Sequence, residues 1–520
     1  MSSDKFLRGA MILTLAGLMV KVIGSVNRIL LSRLLGGEGI GLYQMAYPVY
    51  LLLLAVSAAG IPIAISITVA GFLAKKDYAN VNKVFTVSLR LMAVVGLVLA
   101  LLLVAVAGWL VDTGIIRDAR AYYALVALTP AIFFASILAS FRGYFQGHQL
   151  MTPPAVSQIV EQLVRVVTMV VLAYVLLPQG LEYAAAGAAF GAVPGSLTGL
   201  LVLGCFYRYY RKRYLPVESN AILGQQGVMR TRTLIKKLLL LALPVSCANV
   251  LVPVTSSIDV LLVPRRLAES GWSVAQATTM FGYLAGMAQP LLLMATIPTM
   301  SLATSLVPAV SEAEALGRQQ VIKTKTATAM KLCCLWTIPA SVGMAALAWP
   351  ISQLLYGTQA AGTAIMHSAP AIWLLGLQQV TTGMLQGMGH TNLPMLNMLI
   401  GIAAKVVSVY CLTNAQYGIA GAAWATNINF GLTALLNLAV LHYFSIRFLW
   451  IDTMKIFVAA ALMGAAAWKL YGLLAFLGQN LAAVMALVGA AVIYALLLPL
   501  LGLLKKQELG QLPLLNKFVR

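Results

Sequence analysis

The side chains with the clearest chemical potential are charged residues inside long apolar stretches. Lys21 and Arg28 are seven residues apart within an apolar run near 9–34, so a helix at about 100° per residue places both on one face. Ser25 and Ser32 extend that face into a polar stripe. Since arginine presents a planar fork to phosphate and lysine a point charge, the stripe predicts an anion-binding cavity wall. Pairing with an acid, or snorkelling to the membrane surface, is the alternative interpretation.

Three further charges repeat this pattern in later apolar runs. Glu161 and Arg165 are four residues apart, the spacing of an ion pair along one helix. Lys405 occupies the place of Arg165 in the second half of the chain, where Gly401 replaces the glutamate. These residues form either a structural pair or part of a cavity wall, and the sequence leaves both open.

Asp259 is the other acid that we expect deep in the membrane. The segment from Asp259 to Arg265 aligns with the segment from Arg28 to Arg33, which places Asp259 opposite Arg28 in a second, symmetry-related lobe. We therefore include it among the substrate-binding candidates, as a possible latch to Arg28. The predicted set is Lys21, Arg28, Glu161, Arg165, Asp259 and Lys405.

Other site chemistries find no support in the sequence. The four histidines lack the spacing of metal ligands, and no glycine-rich phosphate loop precedes a soluble strand–helix unit. We predict no metal, no cofactor and no enzymatic activity. The driving force is expected from an ion gradient, the membrane potential or the substrate gradient.

The composition of the chain indicates what kind of secondary structure carries these charged residues. The chain has 520 residues, of which 61% are hydrophobic and 9% charged, whereas a soluble domain carries about 25% charged residues. A soluble enzyme, a nucleic-acid-binding domain and a disordered scaffold are therefore excluded, and a polytopic helical membrane protein remains. Basic residues that collect in cytoplasmic loops explain the net charge of +21, so we expect no nucleic acid partner.

The apolar runs predict an all-α integral membrane protein with fourteen transmembrane helices. Placing both termini in the cytoplasm puts most basic residues on the cytoplasmic side of a cell membrane. Two runs are overlong and contain prolines, so kinks or breaks are expected there. The runs lie near 9–34, 41–73, 88–111, 121–142, 152–177, 183–207, 235–264, 276–309, 326–349, 364–387, 393–415, 418–446, 454–476 and 480–504.

An internal repeat organises these helices. Gln146-Gly147, Pro154 and Arg165 recur as Gln386-Gly387, Pro394 and Lys405 at a constant offset of 240. Two pseudo-symmetric six-helix lobes, formed by helices 1–6 and 7–12, would enclose a central cavity, as in transporters. The expected divisions are an N-terminal lobe at 1–210, a basic cytoplasmic linker at 211–234, a C-terminal lobe at 235–446, and helices 13 and 14 with a cytoplasmic tail at 447–520.

Six segments together resemble the stage V sporulation protein B family. These are Lys21-Val-Ile-Gly-Ser-Val-Asn-Arg28, Gly39-Ile-Gly-Leu-Tyr-Gln-Met-Ala-Tyr-Pro48, Ala59-Gly-Ile-Pro-Ile-Ala-Ile-Ser66, Phe141-Arg-Gly-Tyr-Phe-Gln-Gly147, Ser157-Gln-Ile-Val-Glu-Gln-Leu-Val-Arg165 and Ile297-Pro-Thr-Met-Ser-Leu-Ala-Thr-Ser-Leu-Val-Pro308. That family belongs to the polysaccharide-transporter branch of the MOP (multidrug/oligosaccharidyl-lipid/polysaccharide) exporters.

The resemblance implies a V-shaped cavity and the flipping of a lipid-linked saccharide. The substrate it implies is an undecaprenyl-pyrophosphate precursor of peptidoglycan or spore cortex. The implied partners are this lipid-linked oligosaccharide, membrane lipids, and cell-wall synthesis or sporulation proteins. Related lipid II flippases contact pyrophosphate through cavity arginines, a role that the resemblance carries to Arg28 with Lys21 beside it.

Three other functions compete with this reading. A multidrug and toxic-compound extrusion (MATE) antiporter shares the fold, but cavity cations repel the organic cations that it exports. A membrane glycosyltransferase or polymerase needs catalytic carboxylates on sizeable outer loops, whereas the outer loops here are short. A non-transporting scaffold of a sporulation complex is the third alternative.

Overall fold

The computed structural model describes the backbone of residues 3–58, 60–219, 229–446 and 448–503. Within these ranges it does not describe the side chains of 3–11, 14, 212–219, 244–245, 247–249 and 252. The middle of the expected linker at 211–234 and the expected tail beyond residue 503 therefore lie outside the described residues.

The described backbone is built from α-helices. A short π-helical segment covers Gly282–Ala288, and single 3₁₀ turns cover Leu177–Gln179 and Ala475–Leu477. The helices are α1 Ser3–Ala58, α2 Ile61–Ala74, α3 Tyr78–Asp112, α4 Ala121–Gly147, α5 Thr152–Leu176, α6 Leu181–Phe190, α7 Ala192–Ser219, α8 Thr231–Glu269, α9 Val274–Phe281, α10 Gln289–Ala295, α11 Ile297–Ala315, α12 Gln319–Ala346, α13 Ala348–Tyr356, α14 Gly362–Ser368, α15 Pro370–Gly387, α16 Asn392–Leu412, α17 Gly418–Tyr443, α18 Trp450–Leu473 and α19 Gln479–Leu500.

These helices confirm a multi-pass membrane protein. Within the described ranges, ten helical segments are long and apolar enough to cross a membrane, and a bent pair raises the number to eleven. The expected total of fourteen spans and the orientation of the termini stay predictions.

Both overlong apolar runs are interrupted where proline begins a helix. In the first run α1 continues through Pro48 and ends at Ala58, and α2 then begins with Pro62 in its first turn. In the second run the chain bends by 48° between Ala295 and Ile297, and Pro298 lies in the first turn of α11. Proline has no N–H to donate, and the first turn of a helix is where that donor is not needed.

The chain divides into two compact units. The first contains residues 1–265 and 273–282, and the second contains 266–272 and 283–520. The core of the first unit includes Phe85, Phe145 and Leu238, so α8 contributes to it together with α3 and α4. The lobe boundaries expected from the repeat, 1–210 and 235–446, stay a prediction.

The helix boundaries repeat at the offset found in the sequence. Helix α4 ends at Gly147 and α5 begins at Thr152, while α15 ends at Gly387 and α16 begins at Asn392. The two terminal glycines also pack alike. An added Cβ at Gly147 would lie 2.7 Å from Val69 of α2, and one at Gly387 would lie 2.8 Å from Val310 of α11. Each half thus uses a glycine for the close approach of equivalent helices.

An ion cluster ties α9 to the rest of the first unit. Asp118 lies between α3 and α4, is 3% exposed, and accepts hydrogen bonds from Arg120 Nε at 3.0 Å and the Thr278 hydroxyl at 2.8 Å. Arg120 also pairs with Glu38 of α1 at 2.7 Å. Burial by itself would raise the pKa of Asp118, but the hydrogen bonds from Arg120 and Thr278 outweigh it and lower the pKa below the ordinary value of 3.8.

Replacing Asp118 with asparagine tests this cluster. We expect Asp118→Asn to lower the thermal unfolding temperature near neutral pH. The neutral amide forms weaker hydrogen bonds with Arg120 and Thr278 than the carboxylate does, and the difference is about 1 to 3 kcal/mol. Since the folded-state pKa is below the unfolded value, the ionised carboxylate stabilises the fold above that unfolded value and loses its effect as the pH falls through the folded pKa. The temperature difference from the wild type should therefore stay constant between about pH 5 and 8 and shrink below about pH 4.

The control for this measurement is Asp112→Asn, which neutralises an exposed acid at the end of the preceding helix. An equal loss of stability in this control, or a difference that grows as the pH falls, would contradict the assignment.

Candidate functional site

Arg28 lies against an aromatic ladder on its own helix. Tyr43, Tyr47 and Tyr50 recur every three or four residues, with adjacent ring centroids 5.3 and 5.8 Å apart. The guanidinium carbon of Arg28 lies 5.7 Å from the centre of the Tyr47 ring, within the range of a cation–π contact.

This contact requires the chain to fold back within α1. A straight helix would separate Arg28 and Tyr47 by about 28 Å, at 1.5 Å per residue. The helix is interrupted at Gly36, where φ is 66° and ψ is −172°, a conformation that glycine adopts without the penalty of a Cβ. The interruption at Gly36 divides α1 into two helical segments, and the change of direction there brings Arg28 of the first segment to Tyr47 of the second.

A three-membered ion network lies on the adjoining helices. Glu161 of α5 accepts from Arg165 of the same helix at 2.9 Å and from Arg142 of α4 at 2.6 Å. The side chains are 13%, 15% and 22% exposed for Glu161, Arg165 and Arg142. The Nε atoms of both arginines are buried without a hydrogen-bond partner. One carboxylate therefore serves two guanidinium groups, and both retain donor capacity.

The tyrosine ladder connects Arg28 with this network. Tyr43 interacts electrostatically with both Arg28 and Arg165, and Tyr50 with Arg165 and Glu161. The region therefore has more positive than negative charge, which favours an anionic ligand.

Two glycines of α7 make room for the network. A Cβ at Gly195 would lie 2.9 Å from the Cβ of Arg165, and one at Gly199 would lie 3.3 Å from Glu161 Oε2. Both distances are tighter than ordinary packing allows. Helix α7 can therefore approach α5 closely and exclude solvent from one side of the ion network.

The other two predicted residues of the first unit have different environments. Lys21 is exposed on α1, whereas Asp259 is 2% exposed on α8. Asp259 and Arg28 both belong to the first compact unit, whereas the sequence alignment placed them on opposing lobes. The latch between them stays a hypothesis.

Lys405 lies in the second unit and is almost completely buried, at 1% exposed. A belt of neutral polar side chains crosses the same helices. Asn437 of α17 accepts from Asn397 of α16 at 2.9 Å and donates to Thr381 of α15 at 3.1 Å. Among the described residues, no three His, Cys, Asp or Glu side chains come together as a metal site.

Sequence reasoning missed part of the site in the first unit. Arg142 is absent from the candidate residues that the sequence suggested, and it contacts Glu161. The tyrosine ladder was visible as a spacing of four and then three residues, the repeat of one helix face. Nothing in the spacing alone indicates that Arg28 reaches this ladder.

Comparison with known proteins identifies the family. A profile described as "Polysaccharide biosynthesis protein" matches residues 6–314. The chain is 32% identical to Stage V sporulation protein B of Bacillus subtilis (strain 168) over 100% of both chains. It is 26% identical to Lipid II flippase MurJ of the same organism, over 94% of each chain.

Solved structures with 15% identity show the same fold. "Lipid II flippase MurJ, inward closed conformation" has a TM-score of 0.70 and covers 94% of this chain and 98% of its own. An inward-facing MATE transporter of the MOP superfamily has a TM-score of 0.68, with 82% and 94% covered. These likenesses show the fold, which is that of a polytopic helical membrane protein. The profile match and the full-length relative show that the chain belongs to the stage V sporulation protein B-like polysaccharide transporter family.

Removing the shared carboxylate tests the ion network. We expect Glu161→Gln to destabilise the protein by about 2 to 3 kcal/mol, because two partly buried arginines lose their acidic partner. The double variant Glu161→Gln/Arg142→Gln should recover part of the loss, since it leaves one unpaired guanidinium instead of two. Unfolding of purified protein in detergent measures both variants.

Glu182→Gln serves as the control, because it removes an acid from the same unit outside this network. Additive losses in the double variant, with no recovery, would mean that Glu161 does not couple the two arginines.

Proposed function

We propose that this protein is a flippase that moves a lipid-linked saccharide across the cytoplasmic membrane by alternating access. The observation that carries the proposal is an excess of cations among apolar helices: Arg142 and Arg165 share the Glu161 carboxylate, and the tyrosine ladder connects Arg28 with Arg165. The family relationship to a lipid II flippase supports it.

The substrate that fits this site is an undecaprenyl-pyrophosphate precursor of peptidoglycan or spore cortex. Its pyrophosphate head is anionic and crosses hydrocarbon slowly, whereas its polyprenyl tail is soluble in the bilayer. Arg28 and Lys21 would bind the pyrophosphate, with the tyrosine ladder beside the sugar. Arg165 and Glu161 would form part of the cavity wall. Asp259 and Lys405 are the remaining residues that we propose for substrate binding.

Alternating access would use two six-helix lobes at 1–210 and 235–446 around a V-shaped cavity. We place both termini in the cytoplasm. The protein would act without catalysis, beside cell-wall synthesis or sporulation proteins that make or use the saccharide.

A multidrug cation antiporter is the second candidate, and the similarity of fold to a MATE transporter supports it. Its substrates are cations, which the guanidinium groups around Tyr43 would repel. A sporulation scaffold without transport would show no dependence on these side chains.

Reconstitution tests the proposal. Purified protein in liposomes should move fluorescent undecaprenyl-pyrophosphate saccharide between leaflets, measured by protection from an added quencher. Arg28→Ala should slow movement about 10- to 100-fold, because one hydrogen bond to a charged group contributes about 1.5 to 3 kcal/mol. Arg28→Lys should lose less, since it keeps the charge but not the bidentate fork.

Arg117→Ala is the matched control, because it removes an exposed arginine from the segment between α3 and α4. Absence of movement for every undecaprenyl-pyrophosphate substrate, across imposed ion gradients and membrane potentials, would refute the flippase. Movement that is unchanged in the Lys21→Ala/Arg28→Ala variant would refute the assigned site.

A further inference from the structure

A cleft in the second unit lies outside the site described above. It opens between α11 and α12 and has a volume of about 300 Å³. Its walls include Leu302 and Ala309 of α11 and Thr324, Lys325, Thr328 and Leu332 of α12. Lys325 reaches across it and donates to the backbone carbonyl of Ala309 at 3.2 Å.

Along α12 the wall of the cleft changes from polar to apolar, from Thr324 and Lys325 near the start of the helix to Leu332 further along. Helix α11 ends at Ala315 and α12 begins at Gln319, so Lys325 lies toward the turn that joins them. Leu332 is seven residues further along α12, about 10 Å deeper. A membrane lipid has this same order, with a polar head at the surface and apolar chains below.

Charge around the polar end favours an anion. The basic residues Arg318, Lys323 and Lys325 follow one another along this turn and the start of α12, against Glu312 and Glu314 at the end of α11. The sequence topology places this turn on the cytoplasmic side. Basic pockets between transmembrane helices on that side bind anionic lipid head groups.

The side chains in the cleft also suit a head group that carries hydroxyls. Lys325 has three N–H donors, of which one is directed to Ala309, so two are available to a phosphate. Thr324 donates its hydroxyl proton to the backbone carbonyl of Gln320 on its own helix. Its oxygen retains lone pairs that can accept hydrogen bonds from glycerol hydroxyls.

We propose that this cleft binds an anionic phospholipid of the cytoplasmic leaflet, with its phosphate at Lys325, its glycerol head group at Thr324, and one acyl chain along Leu302 and Leu332. The site is separate from the site of the transported substrate. Lipid binding there would make the stability of the second unit depend on the content of anionic lipid in the surrounding membrane.

Lipid binding by the purified full-length protein tests the proposal. Phosphatidylglycerol and phosphatidylcholine with identical chains are added in detergent, and bound lipid is counted by native mass spectrometry while the unfolding temperature is followed. Phosphatidylglycerol should remain bound and raise the unfolding temperature, because a ligand of the folded state stabilises it. Phosphatidylcholine should do so much less.

Three variants locate the binding. Lys325→Gln should reduce retained phosphatidylglycerol about 10-fold, the change expected for loss of one charge-assisted contact. Lys323→Gln is the matched control, since it makes the same charge change on the same helix but does not line the cleft. Thr328→Leu fills the cleft and keeps Lys325, so it should also reduce the retained phosphatidylglycerol. Because this variant keeps the lysine, its loss of lipid cannot come from misfolding caused by the Lys325 substitution.

Several outcomes would overturn the proposal. Equal retention of the two lipids would remove the role of head-group charge, and equal losses in Lys323→Gln and Lys325→Gln would remove the role of the cleft. Stabilisation by inorganic phosphate alone would indicate a free-anion site. Displacement of phosphatidylglycerol by undecaprenyl phosphate would assign the cleft to the substrate path.

Discussion

The interaction on which the first unit depends is the sharing of Glu161 between Arg142 and Arg165. Two guanidinium groups among apolar helices are expensive to desolvate, and a carboxylate at 2.6 and 2.9 Å offsets much of that cost. The same carboxylate joins α4 to α5, so an electrostatic requirement also holds two helices in register. Since one acid serves two bases, positive charge remains for an anionic ligand.

The two halves of the chain meet the same packing requirement with opposite choices of residue. In the first half Glu161 of α5 is large, and Gly195 and Gly199 of α7 provide the space. In the second half Gly401 of α16 is small, and a Cβ there would collide with Thr433 and lie 2.7 Å from Asn429 Oδ1 of α17. In each half, larger side chains on one helix face glycine on the other, so the interface stays closely packed while its charge differs.

The two halves therefore carry different side-chain chemistry on equivalent helices. The first half presents guanidinium groups together with tyrosine rings. The second half contains neutral amides and hydroxyls around the helices that carry Lys405, with an asparagine pair at 2.9 Å between α16 and α17. Among the described residues, equivalent helix pairs of the two halves thereby carry different charge.

The sequence alone indicated the class of protein, the repeat, kinks or breaks in the two overlong runs, and the spacing that lets Glu161 pair with Arg165, because each depends on composition or on spacing along one helix. It did not determine that Arg142 joins that pair or that Arg28 reaches Tyr47. Arg142 meets Glu161 across two helices, and Arg28 meets Tyr47 only because the backbone changes direction at Gly36. Contacts of this kind depend on which helix faces pack together, and the long-range packing of the tertiary structure decides that.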